Sequence, residues 1–215
     1  MINGELIDLR AGDYEARVAT SGAALVHLRK AGRELIIPFD AETSLPGAWQ
    51  GKTLVPWPNR ITGARYTYHG TEYPVACNEP ETGSALHGLV GWADFQVTAV
   101  TGAEETGAGG VPASSATLGL TLPASYAYPW SLEIDVRFAL DARTGLTVTA
   151  TTTNVGAAAS SAPPRRTAAP PRRPTASPST PISPGPCRWI SASFTCRPRA
   201  SSRSTRAWPP STSAT

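Results

Sequence analysis

The chain has 215 residues, with 19 Lys and Arg against 16 Asp and Glu and a formal net charge of +3. That length suits one large all-β domain or two small ones. No apolar run reaches membrane-span length, "MINGELIDLRAGD" at the start lacks the apolar run of a secretion signal, and three cysteines stand without CxxC spacing. A membrane span, a disulfide framework and a zinc ribbon are therefore not expected, and a reducing cytoplasm is the expected location.

The net charge conceals two unlike pieces. Residues 1–156 hold 10 Lys and Arg against 16 Asp and Glu, a balance of −6, whereas residues 157–215 hold 9 Arg and no Lys, Asp or Glu. The first piece has the composition of an ordinary folded domain. The second has too few apolar side chains to offset the entropy lost on ordering, so a disordered Pro/Arg/Ser-rich tail is expected there.

Within residues 1–156 the pattern is strand after strand. "AALVHLRKAGRELIIPF" reads as two β-rich runs around a Lys30–Gly32 turn. "ARYTYHGTEYPV" reads as a hairpin turning at His69-Gly70. Gly102–Ser115, rich in Gly and Ala, reads as a surface loop. In "SLEIDVRFALDARTGLTVTATTT", Leu132, Ile134, Val136, Phe138 and Leu140 alternate with polar partners. Ala142–Gly145 then turns the chain, and Leu146, Val148 and Ala150 alternate with threonines. This period of two buries one face. No segment sustains a 3.6-residue apolar repeat, so the fold class is all-β, with turns spaced as in a sandwich or barrel.

Beyond residue 156 only Ile182, Ile190 and Phe194 fall outside Ser, Pro, Thr, Ala, Cys, Trp, Arg and Gly, whose codons carry C or G at the middle base; the preceding 59 residues contain 21 exceptions. A GC-rich gene read one frame off places its wobble base in the middle of the codon and produces that composition. The expectation is a frameshift near residues 156–162. The alternatives are a Pro-rich linker and a basic tail binding phosphate backbones, but the tail has no Lys and few stacking aromatics, so no specific nucleic-acid partner is expected.

Two stretches carry candidate chemistry: "LVPWPNRITGARY" and "NEPETGSALHGLVGW". Each sets one strongly polar side chain, Arg60 or His87, among Pro, Gly and Trp, as in the loops where a β scaffold places its binding groups. Arg60 offers a planar fork suited to two neighbouring hydroxyls or a carboxylate; beside a turn, such an arginine is more often a surface salt-bridge partner. His87 can move a proton near neutral pH, or can be a core histidine with one satisfied hydrogen bond. Trp57 and Trp92 offer flat apolar faces to a sugar ring, although they and Trp130 read more readily as packing residues. His27, on a polar strand face, and His69, in a turn, are expected to be solvated. No phosphate loop, nucleophile elbow or metal triad is visible.

"PWPNRI" followed about two dozen residues later by "NEPETGSALHG" resembles the aldose 1-epimerases, or galactose mutarotases, and their glucose-6-phosphate epimerase relatives. "SGAALVHLRKAGRELI" and "YPWSLEIDVRFALDARTGLTVTATTTNVG" extend the resemblance over nearly all of residues 3–156, where it stops. It implies a large antiparallel β-sandwich, incomplete here, and a cytoplasmic enzyme that takes a hexose such as glucose or galactose with no metal or organic cofactor. The reaction implied is exchange of α and β anomers through ring opening, with paired proton transfers to and from the sugar. By resemblance, His87 contacts the sugar near its ring oxygen as a catalytic group, Arg60 binds hydroxyls, and Asn59 and Trp92 complete the contacts. The family's second histidine, its glutamate base and a sugar-binding aspartate would fall after residue 156. This chain has no His after His87 and no acidic residue after Asp141, so little or no activity is expected. A non-catalytic carbohydrate-binding module is the alternative. Oligomeric state is left open.

Overall fold

The computed structural model describes residues 1–102, 106–107, 111–156 and 192–196. The first sheet is an antiparallel meander of β1 (Leu6–Ala11), β2 (Tyr14–Ala19), β3 (Ala24–Lys30) and β4 (Arg33–Glu34). Two small pairs follow. One is β5 (Arg60–Ile61) with β8 (Ala85–Leu86); the other is the hairpin of β6 (Arg65–Tyr68) with β7 (Thr71–Pro74). His69 and Gly70 turn that hairpin with φ of 46° and 75°, the pair of positive values a tight two-residue turn needs. The second sheet has six strands: β9 (Gln96–Thr101), β10 (Thr106–Gly107), β11 (Val111–Leu122), β12 (Leu132–Asp141), β13 (Gly145–Asn154) and β14 (Ala192–Cys196). They run in the order β10-β11-β12-β13-β14, with β9 also paired to β11. Among the described residues the helical content is one three-residue 3-10 turn, Thr62–Ala64.

The two large sheets pack face to face around one core. Leu9, Ala11, Tyr14, Ala16, Val18 and Leu28 from the first meet Ala116, Leu118, Ile134, Val136, Phe138 and Leu140 from the second. The five alternating apolar residues of β12 are all buried, as period two requires, and Asp141↔Gly145 closes the β12–β13 hairpin. Arg10 N–H donates to Ser114 Oγ at 2.9 Å, stitching an edge of the first sheet to β11. Burial thins along β13: Leu146 is buried, while Val148 and Ala150 are only partly covered.

Three local expectations are corrected. The second run of "LVHLRKAGRELIIPF" yields only the two-residue β4, and Ile37 stands 79% exposed, because a continuous apolar run has no alternation to seat on a one-sided sheet. The stretch expected as a loop to Ser115 already pairs as β10 at Thr106–Gly107 and continues in the sheet as β11 from Val111. Ser114 and Ser115 are buried there, since small side chains let the sheets approach. Within the tail expected to be disordered, residues 192–196 form β14, Phe194 pairing with Val148 and Cys196 with Leu146 across the backbone ladder. "ASFTC" is free of Pro, so each of its residues has a backbone N–H to offer the ladder. The expectation for residues 157–191 and 197–215 lies outside the described residues.

Candidate functional site

The β5–β8 pair places the predicted polar residues side by side. Arg60↔Leu86 registry puts Asn59 opposite His87, whose N–H donates to the Asn59 carbonyl at 2.9 Å. Asn78 acts as a surrogate strand for the outer edge of β8: its Oδ1 accepts from Leu86 N–H at 2.6 Å and its Nδ2 donates to Leu86 O at 3.0 Å. A turn over residues 79–84, closed by Glu79↔Ser84 bridging, carries Glu79 back beside Arg60.

His87 and Gly88 both hold positive φ, 62° and 73°. A Cβ on Gly88 would stand 2.2 Å from the Val55 carbonyl oxygen, so only glycine lets the chain press against Val55, where Leu89 N–H donates at 2.7 Å. The turn brings His87 Nδ1 to 2.8 Å from Pro58 O. A carbonyl only accepts, so Nδ1 carries the hydrogen, and the neutral imidazole keeps its lone pair on Nε2.

Arg60 grips Glu79 with two bonds, Nε to Oε2 at 2.5 Å and Nη2 to Oε1 at 2.6 Å, while Nη1 donates to Asn59 Oδ1 at 3.2 Å. Thr82 Oγ1 also donates to Glu79. The Arg60 bond first, then that of Thr82, holds the Glu79 carboxyl down to about 2.

The aromatic wall comes from a segment that had not been singled out. Trp49 meets the His87 ring edge-on, centroids 5.1 Å apart, and the Trp92 ring at 5.4 Å. Trp92 is 47% exposed, consistent with a face open to solvent. Below it lies Lys52, its ammonium 4.4 Å from the ring centre.

His87, Arg60, Asn59 and Trp92 thus fall into one neighbourhood, joined by Trp49, Lys52 and Glu79, which sequence reasoning missed. Glu79 lies inside the quoted "NEPETG" turn, and the need of an exposed arginine for an anion was the available signal. For Trp49 and Lys52 there was none. Trp57, offered as a possible sugar face, is 4% exposed and donates Nε1–H to Ala85 O at 3.2 Å, so it packs the core beneath the site. Trp130 is likewise core, edge-on to Tyr68 and Tyr128. His69 is exposed, whereas His27 is half-buried and its pKa is lowered by that burial and by Arg29 and Arg17. Among the described residues, no three His, Cys, Asp or Glu side chains cluster to hold a metal, and no helix is long and apolar enough to cross a membrane.

Comparison with solved structures defines the class first: an antiparallel β-sandwich of the galactose mutarotase type. A galactose mutarotase-like protein from Clostridium acetobutylicum superposes with a TM-score of 0.61 at 17% identity, over 71% of this chain and 46% of that one. Galactose 1-epimerase from Lactobacillus acidophilus gives 0.57 at 14% identity, over 72% and 49%. The aldose 1-epimerase family model matches residues 5–162, and the chain belongs to that family. A curated relative, the uncharacterized protein YihR of Escherichia coli strain K12, is 40% identical over 158 residues, 74% of this chain and 47% of its own length. The chain therefore spans about half the length of the relatives it matches.

Proposed function

We propose that residues 1–156 form the N-terminal half of the sugar site of an aldose 1-epimerase that exchanges the α and β anomers of a free hexose such as glucose or galactose. The observation that carries this reading is the cluster of His87, Arg60 and Trp92 in a chain of this family. Trp92 offers a ring face to the apolar side of a pyranose. Arg60, aligned by Glu79 and Asn59, is the guanidinium placed to bind neighbouring sugar hydroxyls. His87, with its lone pair on Nε2, accepts a hydrogen bond from the sugar or, when protonated, donates one to the ring oxygen as the C1–O bond opens. Rotation about C1–C2 and reversal of the two proton transfers gives the other anomer.

The partner proton-transfer groups implied by the family resemblance would lie beyond residue 156, where this chain has neither His nor acidic residues. We read that region as an out-of-frame continuation, whose described strand β14 pairs with β13 through backbone bonds that any residue but Pro can supply. Losing one partner of an acid–base pair costs on the order of 10²–10⁴-fold in rate, so the chain as written is a sugar-binding half-site with little turnover. Polarimetry of fresh α-D-glucose and α-D-galactose, run beside calorimetric titration of the same sugars, tests this. Binding without a rate above buffer is expected; a clear catalysed rate refutes the inactivity, and no binding of either sugar refutes the site. Translating the gene beyond codon 156 in all frames tests the frame reading, which fails if no frame restores a β-patterned continuation.

A further inference from the structure

Lys52 is only 7% exposed, yet among the described residues no carboxylate lies within ion-pair distance of it. Its ammonium donates to Ser21 O at 2.8 Å and Ser21 Oγ at 3.2 Å, and sits over the Trp92 ring. An unpaired buried ammonium is unfavourable, and a methionine would fill a similar volume without that penalty. What the charge adds is attraction to the face of an indole, strongest when water is excluded.

From Trp92 contact passes to Trp49 and from Trp49 to His87, with ring planes inclined by 56° and 68°. Glycines close the space around this stack. A Cβ on Gly91 would lie 2.5 Å from the Trp49 ring, and one on Gly22 would lie 2.8 Å from Lys52 Cδ. Backbone thus presses on Trp49 and on the lysine stem alike.

We infer that Lys52 is a positioning residue: its ammonium, held by Ser21, fixes Trp92 and, through Trp49, sets the orientation of the His87 imidazole. The role in sugar binding rests on the site reading above. The coupling of the rings stands on the geometry alone. Burial lowers Lys52 to about 8, so the charge that holds the stack is lost just above neutral pH. The other charged or titratable groups around the stack are His87 itself, Glu79 in its pair with Arg60, and Asp94, which bridges to Ser21 and accepts from Thr20 Oγ1.

The test follows the indole N–H signals of Trp49 and Trp92 and the ring signal of His87 by NMR in the full chain, from about pH 6.5 to about 9.5. All three are expected to move together with one midpoint near 8. In Lys52→Met that midpoint vanishes, whereas a midpoint owned by another group would persist. In Lys52→Arg, charged throughout, the low-pH positions hold across the range. D-galactose and D-glucose, titrated below the midpoint, should bind Lys52→Met about tenfold more weakly than the parent chain. Movement of Trp92 with Trp49 and His87 unmoved overturns the inference, as does a midpoint that survives in Lys52→Met. Equal sugar binding by parent and Lys52→Met also overturns it while leaving the sugar site standing. Joint movement of the three rings with no sugar bound upholds the positioning and sinks the sugar site instead. Should Lys52→Met fail to fold, the parent titration and Lys52→Arg decide.

Discussion

The Arg60 guanidinium closes on the Glu79 carboxylate through two parallel bonds of 2.5 and 2.6 Å, with the arginine side chain 47% exposed and the glutamate 17%. A pair this close to water adds little to stability. Its consequence is geometric: the planar fork is locked on one edge, so its other donors take a fixed direction.

The carboxyl of Glu79 lies at about 2 in the folded chain against 4.5 as the ordinary value. A depressed acid contributes stability that is fully present above about 4.5 and fades as pH falls towards 2. Carbon-detected NMR should therefore find Glu79 still ionised at about pH 3.5. In urea titrations any offset between Glu79→Gln and the parent should be small, present above the ordinary carboxyl range and gone in stronger acid. A normal Glu79 titration would remove the pair from solution.

For Lys52 the slope has the same sign, but here it is the uncharged form that burial favours. Its folded value, about 8, is below the ordinary 10.5, so between those limits the unfolded chain holds a proton that the native chain has lost. Stability attributable to Lys52 should rise with pH across that window and be flat below it. Chemical denaturation at stepped pH should show this rise in the parent and its absence in Lys52→Met. A parent profile parallel to the variant's would mean that Lys52 is solvated.

Gly88→Ala should damage the site from beneath. The added Cβ meets Val55 O at 2.2 Å while φ sits at 73°, so both clash and backbone strain act on the link that seats His87. A loss of more than about 1 kcal/mol is expected in denaturation, together with weakened sugar binding. An unchanged midpoint in denaturant would contradict the close approach.

Phe138→Ala probes the sandwich itself. The ring is 2% exposed, and its backbone pairs with Ala116 on one side and Val148 on the other. Truncation should cost about 3–5 kcal/mol. A cost under about 1 kcal/mol would mean that the two sheets do not close over it.

The aggregate of strands was legible because period two is a local signal. Leu132 through Leu140 declare their buried face without reference to any other part of the chain, and His69-Gly70 declares a turn. Less was legible where the local signal is neutral. The sequence "RELIIPF" is apolar on both faces, so only its neighbours decided that pairing ends at Glu34. Ser114 and Ser115 resemble loop residues and become strand residues because β1 needs small partners there.

For the site, residue types and motif determined which side chains were candidates: His87, Arg60, Asn59 and Trp92 could be named from two short stretches. Tertiary structure alone decided their company. Glu79 reaches Arg60 from 19 positions away, and Lys52 lies under Trp92 only because the turns at Gly22 and Gly91 bring three segments together. Strand pattern is written residue by residue, whereas an ion pair or a stacked ring is a meeting of distant segments, which is set by how the whole chain packs.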